Sequence, residues 1–258
     1  MSRDFELLQR LEREEVRPSI FLETTGRAPS SGKQSGAFRA VRRATQPTRP
    51  STRISPVMRA VLNRMILRTF LAEPSISSVM FTGVEAKQGA KWLAACTADV
   101  LAETCDARVC LVDADLGSPA MHRAYSVPNH NGLRMILSGG CPIERAAIGI
   151  ADNLWIIPAG IGPEDQSISA ETVRRAFYKI QQECEYLIVS GPECGSYQEI
   201  AAFGAATEGA ILVLDSTNTR RASAQRAKSM LEAAQIKIIG SVMTCRRDPI
   251  PEFLSAHM

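Results

Sequence analysis

A chain of 258 residues, 45% hydrophobic and 22% charged, has room for one substantial core. It contains no apolar run long enough to span a bilayer and no signal peptide, so it is expected to be cytoplasmic. Net charge is only +3, but residues 24–56 hold seven basic residues (Arg27, Lys33, Arg39, Arg42, Arg43, Arg49 and Arg53) and no acidic one. That leaves −4 for the remainder, which argues against a nucleic-acid-binding core. Seven cysteines without a C-x-x-C pair, and three histidines without ligand spacing, give no support to a zinc or redox site.

Residues 1–23 are expected to form a short amphipathic helix, with Phe5, Leu8 and Leu11 at helical spacing between charged residues. Residues 24–56, rich in Ser, Thr, Pro, Gly and Arg, read as a disordered basic linker able to touch an anionic membrane surface. A helix starts at Pro56, with Val57, Val61, Ile66 and Phe70 on its apolar side, and ends near residue 73. Apolar runs at 76–82, 108–113, 153–158, 186–190, 209–214 and 237–243 then alternate with helical patterns near 90–104, 132–139, 170–183, 196–206 and 219–234. Continuous rather than alternating apolar runs suit strands covered on both faces. The alternation gives an α/β fold over 57–258, a doubly wound, mostly parallel sheet with helices on both faces.

In such a sheet ligands bind beyond the carboxyl ends of the strands. After the first long run comes Gly83-Val84-Glu85-Ala86-Lys87-Gln88-Gly89-Ala90-Lys91, in the strand–loop–helix context of a phosphate-binding G-x-x-x-x-G-K-[ST] loop. Gly89 holds the second glycine's place, Ala90 the lysine's and Lys91 the hydroxyl residue's. Lys87 and Lys91 are the residues left to reach a phosphate, although a one-residue displacement on a helix turns a side chain by about 100°. After the second run, Asp113 and Asp115 either orient a magnesium-bound water or bond backbone N–H groups of the following turn. Ser190 ends the run at 186–190, where an acidic magnesium partner would stand, and Thr244 follows the run at 237–243.

The order of these motifs resembles the cytoplasmic domain of bacterial tyrosine autokinases, the BY-kinases of exopolysaccharide and capsule assembly. These are relatives of the partition and division-site ATPases with deviant Walker motifs, on a P-loop NTPase-like fold. The resemblance runs from about residue 57 to 246. It rests on Leu111-Val112-Asp113-Ala114-Asp115-Leu116 with Pro119 and His122, and on Val127-Pro128-Asn129 followed by Gly132-Leu133 and Leu137-Ser138-Gly139. It also rests on Ile156-Ile157-Pro158-Ala159-Gly160, on the run from Gly209 to Asp215, and on Ile239-Gly240-Ser241-Val242-Met243.

The resemblance implies ATP and Mg2+ as cofactors of active members, with Asp113 and Asp115 as metal and catalytic carboxylates and Gly89, Lys87 and Lys91 around the phosphates. It also exposes departures. Ala90 stands for the phosphate lysine, Lys91 for the magnesium-holding hydroxyl, Ser190 for the Walker B aspartate, and Thr244 for an adenine-reading asparagine; the C-terminal tyrosine cluster is absent. The expectation is therefore a non-catalytic pseudo-kinase without a cofactor, an adaptor in polysaccharide synthesis or export. It would be recruited to the inner face of the plasma membrane by a membrane polysaccharide co-polymerase or an active kinase paralogue. An active tyrosine kinase with a rearranged loop, using ATP and Mg2+, is the alternative, and a partition-type ATPase the second alternative; nucleic acid is not an expected partner. The Glu-x-x-Arg pattern of the family's oligomerisation helix is not reproduced at 57–64, which leaves the oligomeric state open.

Overall fold

The computed structural model describes residue 38 and residues 41–45, 47–73, 75–85, 89–162, 168–195 and 197–244. The helix expected within 1–23, the linker up to residue 37, Lys87 and the end of the chain lie outside the described residues. Strands β1 (Arg42–Arg43), β2 (Ser78–Gly83), β3 (Val109–Asp113), β4 (Ile148–Ala151), β5 (Leu154–Ile157), β6 (Tyr186–Ser190), β7 (Gly209–Asp215) and β8 (Ile238–Thr244) form one sheet. Their order is β1-β4-β5-β3-β6-β2-β7-β8, and every pairing is parallel except β4 with β5. All six expected strands are present. β2, β3 and the last four residues of β6 are buried throughout, as their unbroken apolar runs require.

Each face of the sheet carries its own layer. On one side Val79, Phe81, Leu111, Ile188, Ile211 and Val213 pack beneath α1 (Pro56–Ile66) and α2 (Ala90–Thr104). On the other, Met80, Cys110, Val112, Leu187, Val189 and Leu212 meet later helices. After the short helices α3 (Met121–Ala124), α4 (Leu133–Leu137) and α5 (Ile143–Ala146), this side is covered by α6 (Ala170–Gln181), α7 (Tyr197–Gly204) and α8 (Arg221–Ala233). Val173, Phe177 and Ile180 put one stripe of α6 into the core, and Ser169 caps it by accepting from Thr172 N at 3.1 Å.

The helix from Pro56 buries Ile66 and Phe70 of the expected stripe but not Val57 and Val61. Leu62, Ile66 and Phe70 are in the core and Met58 packs against it, whereas Val57 and Val61 are 51% and 42% exposed. The buried row runs i, i+4, i+8, i+12, continuous through a π-helical turn at Leu67–Leu71, because α1 lies on α2 along a single ridge.

The expectation of a disordered linker over 24–56 needs correction for its described residues. Phe38 stacks on Trp155 with centroids 5.1 Å apart, and Arg42–Arg43 pairs with β4 as the sheet's edge. Residues 47–54 form a strap across α2. Arg49 donates from Nε to Asp99 Oδ1 at 3.2 Å and pairs with Glu103 at 3.1 Å, while Ser51 N donates to Asp99 Oδ2 at 3.0 Å. One of the arginines that made this stretch look solvated, Arg49, is the counterion of two carboxylates on α2, so ion pairing does there what apolar burial could not. Leu93 to Ala102 of α2 are consequently all buried, sheet beneath and strap and α1 above. Leu93, Val100 and Leu101 each contribute roughly 1.5–3 kcal/mol by leaving water.

Two of the matched segments meet at a crossing of backbones. Leu133 N donates to Pro158 O at 2.8 Å, Arg134 N to Ala159 O at 2.9 Å, and Gly160 N to Asn129 Oδ1 at 2.9 Å. A Cβ on Gly132 would stand 2.3 Å from Pro158 O, and Gly160 has φ +82°, so both positions need glycine.

Candidate functional site at the strand ends

The carboxyl ends of β2, β3 and β6 lie side by side, with Phe81 and Asp113 both in register with Ser190. Beyond β2, Gly89 (φ 80°) turns the chain into α2, whose first residue, Ala90, is buried. The stretch after β6 is stitched to β2: Thr82 Oγ1 donates to Pro192 O at 2.6 Å and Cys194 N to Gly83 O at 2.9 Å. Between this stretch and the start of α2 is a cleft of about 380 Å³. Lys91, Trp92, Arg123 and two carboxylates, Glu85 and Glu193, are among its lining residues.

Asp113 and Asp115 come together as expected, and both bond to the turn that follows them. Asp113 Oδ2 accepts from Ala120 N at 2.8 Å and Met121 N at 2.9 Å; Asp115 Oδ1 accepts from Ser118 N at 2.9 Å. The other oxygens differ. Asp115 Oδ2 lies 2.7 Å from Lys91 Nζ, which also donates to Ser118 O at 2.6 Å. Asp113 Oδ1 and Ser190 Oγ, both fully buried, have no hydrogen-bond partner among the described residues. Burial pushes the Asp113 carboxyl up to about 6, against the two backbone hydrogen bonds from Met121 and Ala120; the charge of Asp115 adds to the rise and that of Lys91 opposes it.

Gly89, Ala90, Lys91, Asp113, Asp115 and Ser190 thus share one end of the sheet. Thr244 reaches it too: its Cγ2 is 3.8 Å from where a Cβ would stand on Gly89, and its hydroxyl donates to Leu214 O at 3.2 Å. Lys91, expected to reach a phosphate if one bound, is turned to Asp115 instead. Sequence reasoning missed Glu85 and Glu193. Glu85 was legible as an acidic residue inside a phosphate-type loop, whereas Glu193 enters only through the stitching of 190–194 to β2. Among the described residues no group of three or more His, Cys, Asp or Glu is arranged to hold a metal ion. No described helix is long and apolar enough to cross a membrane.

No protein-family model matches the chain. CapB of Staphylococcus aureus is 21% identical over 198 residues, 76% of this chain and 86% of CapB. The tyrosine-protein kinase YwqD of Bacillus subtilis is 26% identical over 175 residues, 67% of this chain and 73% of YwqD. Among solved structures, the kinase domain of Escherichia coli tyrosine kinase ETK superposes with a TM-score of 0.64 at 20% identity, covering 76% of this chain and 78% of that one. The fold is P-loop NTPase-like, shared with these kinase structures, and the chain is similar in sequence to proteins named as bacterial tyrosine kinases, the family its motif order resembles.

Proposed function

We propose that this chain is a non-catalytic relative of those kinases, an adaptor that keeps the scaffold as a docking surface in exopolysaccharide or capsule synthesis or export. Its partner would be a membrane polysaccharide co-polymerase or an active kinase paralogue, which would bring it to the inner face of the membrane. The exopolysaccharide setting and the partner rest on the resemblance to the family. The loss of catalysis rests on one observation, the charge of the cleft at the end of β2. A triphosphate needs cations there, and the cleft has Glu85 and Glu193 on its walls, Ala90 in the lysine's place, and Lys91 committed to Asp115, which leaves Arg123 as the cation on its described walls against two carboxylates. Ser190 supplies neither charge nor a good ligand for magnesium. ATP and Mg2+ therefore do not fit the described residues.

Thermal unfolding with and without millimolar Mg-ATP tests the reading. A nucleotide at about 100 times its Kd would raise Tm by roughly 5–11 °C in a domain of this size. The expected shift is under about 1 °C on the same scale. A rise in the larger range, lost in Asp113→Ala, would favour the active kinase instead.

A further inference from the structure

We propose that the Lys91 ammonium is a tethered stand-in for a divalent cation, holding the 113–121 turn in its assembled form without any ligand. The inference rests on the reading of the cleft as unable to hold a nucleotide, and concerns what replaces the metal. Two hard oxygen donors converge on Nζ, a carboxylate oxygen at 2.7 Å and a backbone carbonyl oxygen at 2.6 Å. That donor set belongs to Mg2+, Mn2+ or Ca2+ sites. Asp113, two residues before Asp115, and Ser190, in register with Asp113 on the neighbouring strand, each have a fully buried oxygen with no partner among the described residues. A purely structural turn has no need of two such atoms.

The helix explains how lysine came to this use. As the second residue of α2, Lys91 is rotated about 100° from the first, where a phosphate-binding lysine would stand. The rotation carries its ammonium toward the end of β3. A hydroxyl at position 91 would share a metal ion with these carboxylates; a lysine at the same position supplies the positive charge itself. The ammonium brings one charge where a divalent ion brings two. One carboxylate, Asp115, is paired, and the other, Asp113, keeps Oδ1 without a partner among the described residues.

Removing the lysine should therefore open a metal site. The probe is Mn2+ alone, without nucleotide, and the readout is Tm in the full chain. Lys91→Ser is expected to unfold at a lower temperature than the wild type and to recover by about 3–6 °C at saturating Mn2+, the shift expected from a ligand at about ten times its Kd. The wild type and the double variant Lys91→Ser, Asp115→Asn are expected not to respond. A folded Lys91→Ser with no response to Mn2+ overturns the proposal. If Lys91→Ser does not fold, paramagnetic broadening in the wild type decides. Mn2+ broadening of amides 113–121 that Asp115→Asn abolishes would show the site open despite the lysine and overturn the proposal; unbroadened amides at millimolar Mn2+ support it. Stabilisation of the wild type by Mg-ATP would sink the non-catalytic reading whatever Mn2+ does, whereas a silent Lys91→Ser sinks only this inference.

Discussion

Two fully buried aspartates pack around α2, and the fold treats them differently. Asp99, in the middle of the helix, has every oxygen occupied. Oδ1 takes Arg49 and the Tyr125 hydroxyl, each at 3.2 Å, and Oδ2 takes Ser51 N. Asp113, at the end of β3 near the start of α2, takes two backbone amides on Oδ2 and nothing on Oδ1 among the described residues, while the nearby lysine is bound to Asp115. Burial raises the pKa of both carboxyls. A carboxylate that belongs to the scaffold is saturated by the scaffold. One that keeps a spare acceptor in the interior is arranged for something the chain's own atoms do not supply.

The largest effect should come from breaking the saturated cluster. Arg49→Ala leaves Asp99 buried without its counter-charge and should cost about 3–5 kcal/mol, roughly 6–20 °C in Tm. A cost below about 1 kcal/mol in urea unfolding would mean that the ion pair does not hold the strap, and the contrast would collapse.

The second prediction concerns pH. The Asp113 carboxyl titrates near 6 in the folded chain, above its ordinary value of 3.8. The unfolded chain therefore gives up this proton first, and the stability that Asp113 contributes falls by about 3 kcal/mol as pH rises from about 4 to about 6. Asp113→Asn keeps an oxygen for the amides of Ala120 and Met121 and has nothing to ionise. It should match the wild type near pH 4 and exceed it by about 2–3 kcal/mol at pH 7.5, read from denaturant midpoints. A difference that does not change with pH would assign the effect to packing rather than charge.

A matched pair of hydroxyl deletions gives the smallest and sharpest contrast. Tyr125→Phe removes bonds to Ala95 O and Asp99 and should cost about 1–2 kcal/mol. Ser190→Ala removes an oxygen without a partner among the described residues and should change stability by no more than about 0.5 kcal/mol, or raise it. Equal costs would show that Ser190 is held by a contact like those of Tyr125.

β2, β3, β5, β6 and β7 were legible because burial on both faces leaves a nearly unbroken apolar run; β8, a half-buried edge strand, was legible from the apolar pairs Ile238-Ile239 and Val242-Met243. β1 and β4 were not. They have two and four residues, β1 is all arginine, and β4 carries Gly149 in its middle, so neither has a period to detect. The face of α1 was read correctly at Ile66 and misread in its first turns, where Val57 and Val61 have helical spacing yet project past the single ridge that touches α2. At the site, Asp113 and Asp115 were legible from position, as carboxylates at the end of a buried run. The direction of Lys91 was half legible: helical geometry turned it from the phosphate position, but its partner is set by how the chain folds back after β3. The strap was hidden because composition records how many arginines a stretch has, not which carboxylates lie opposite them.

The strap also gives the domain a mechanical order. Tension on the chain upstream of Phe38 would first load its stacking on Trp155 and then the two-residue pairing of β1 with β4, a joint with few hydrogen bonds to resist peeling. Next in line is the Arg49–Asp99 clasp on α2, the helix that begins at Gly89. A pull from that side would reach the strand-end site along a rigid helix, and the clasp is the fuse that fails before it.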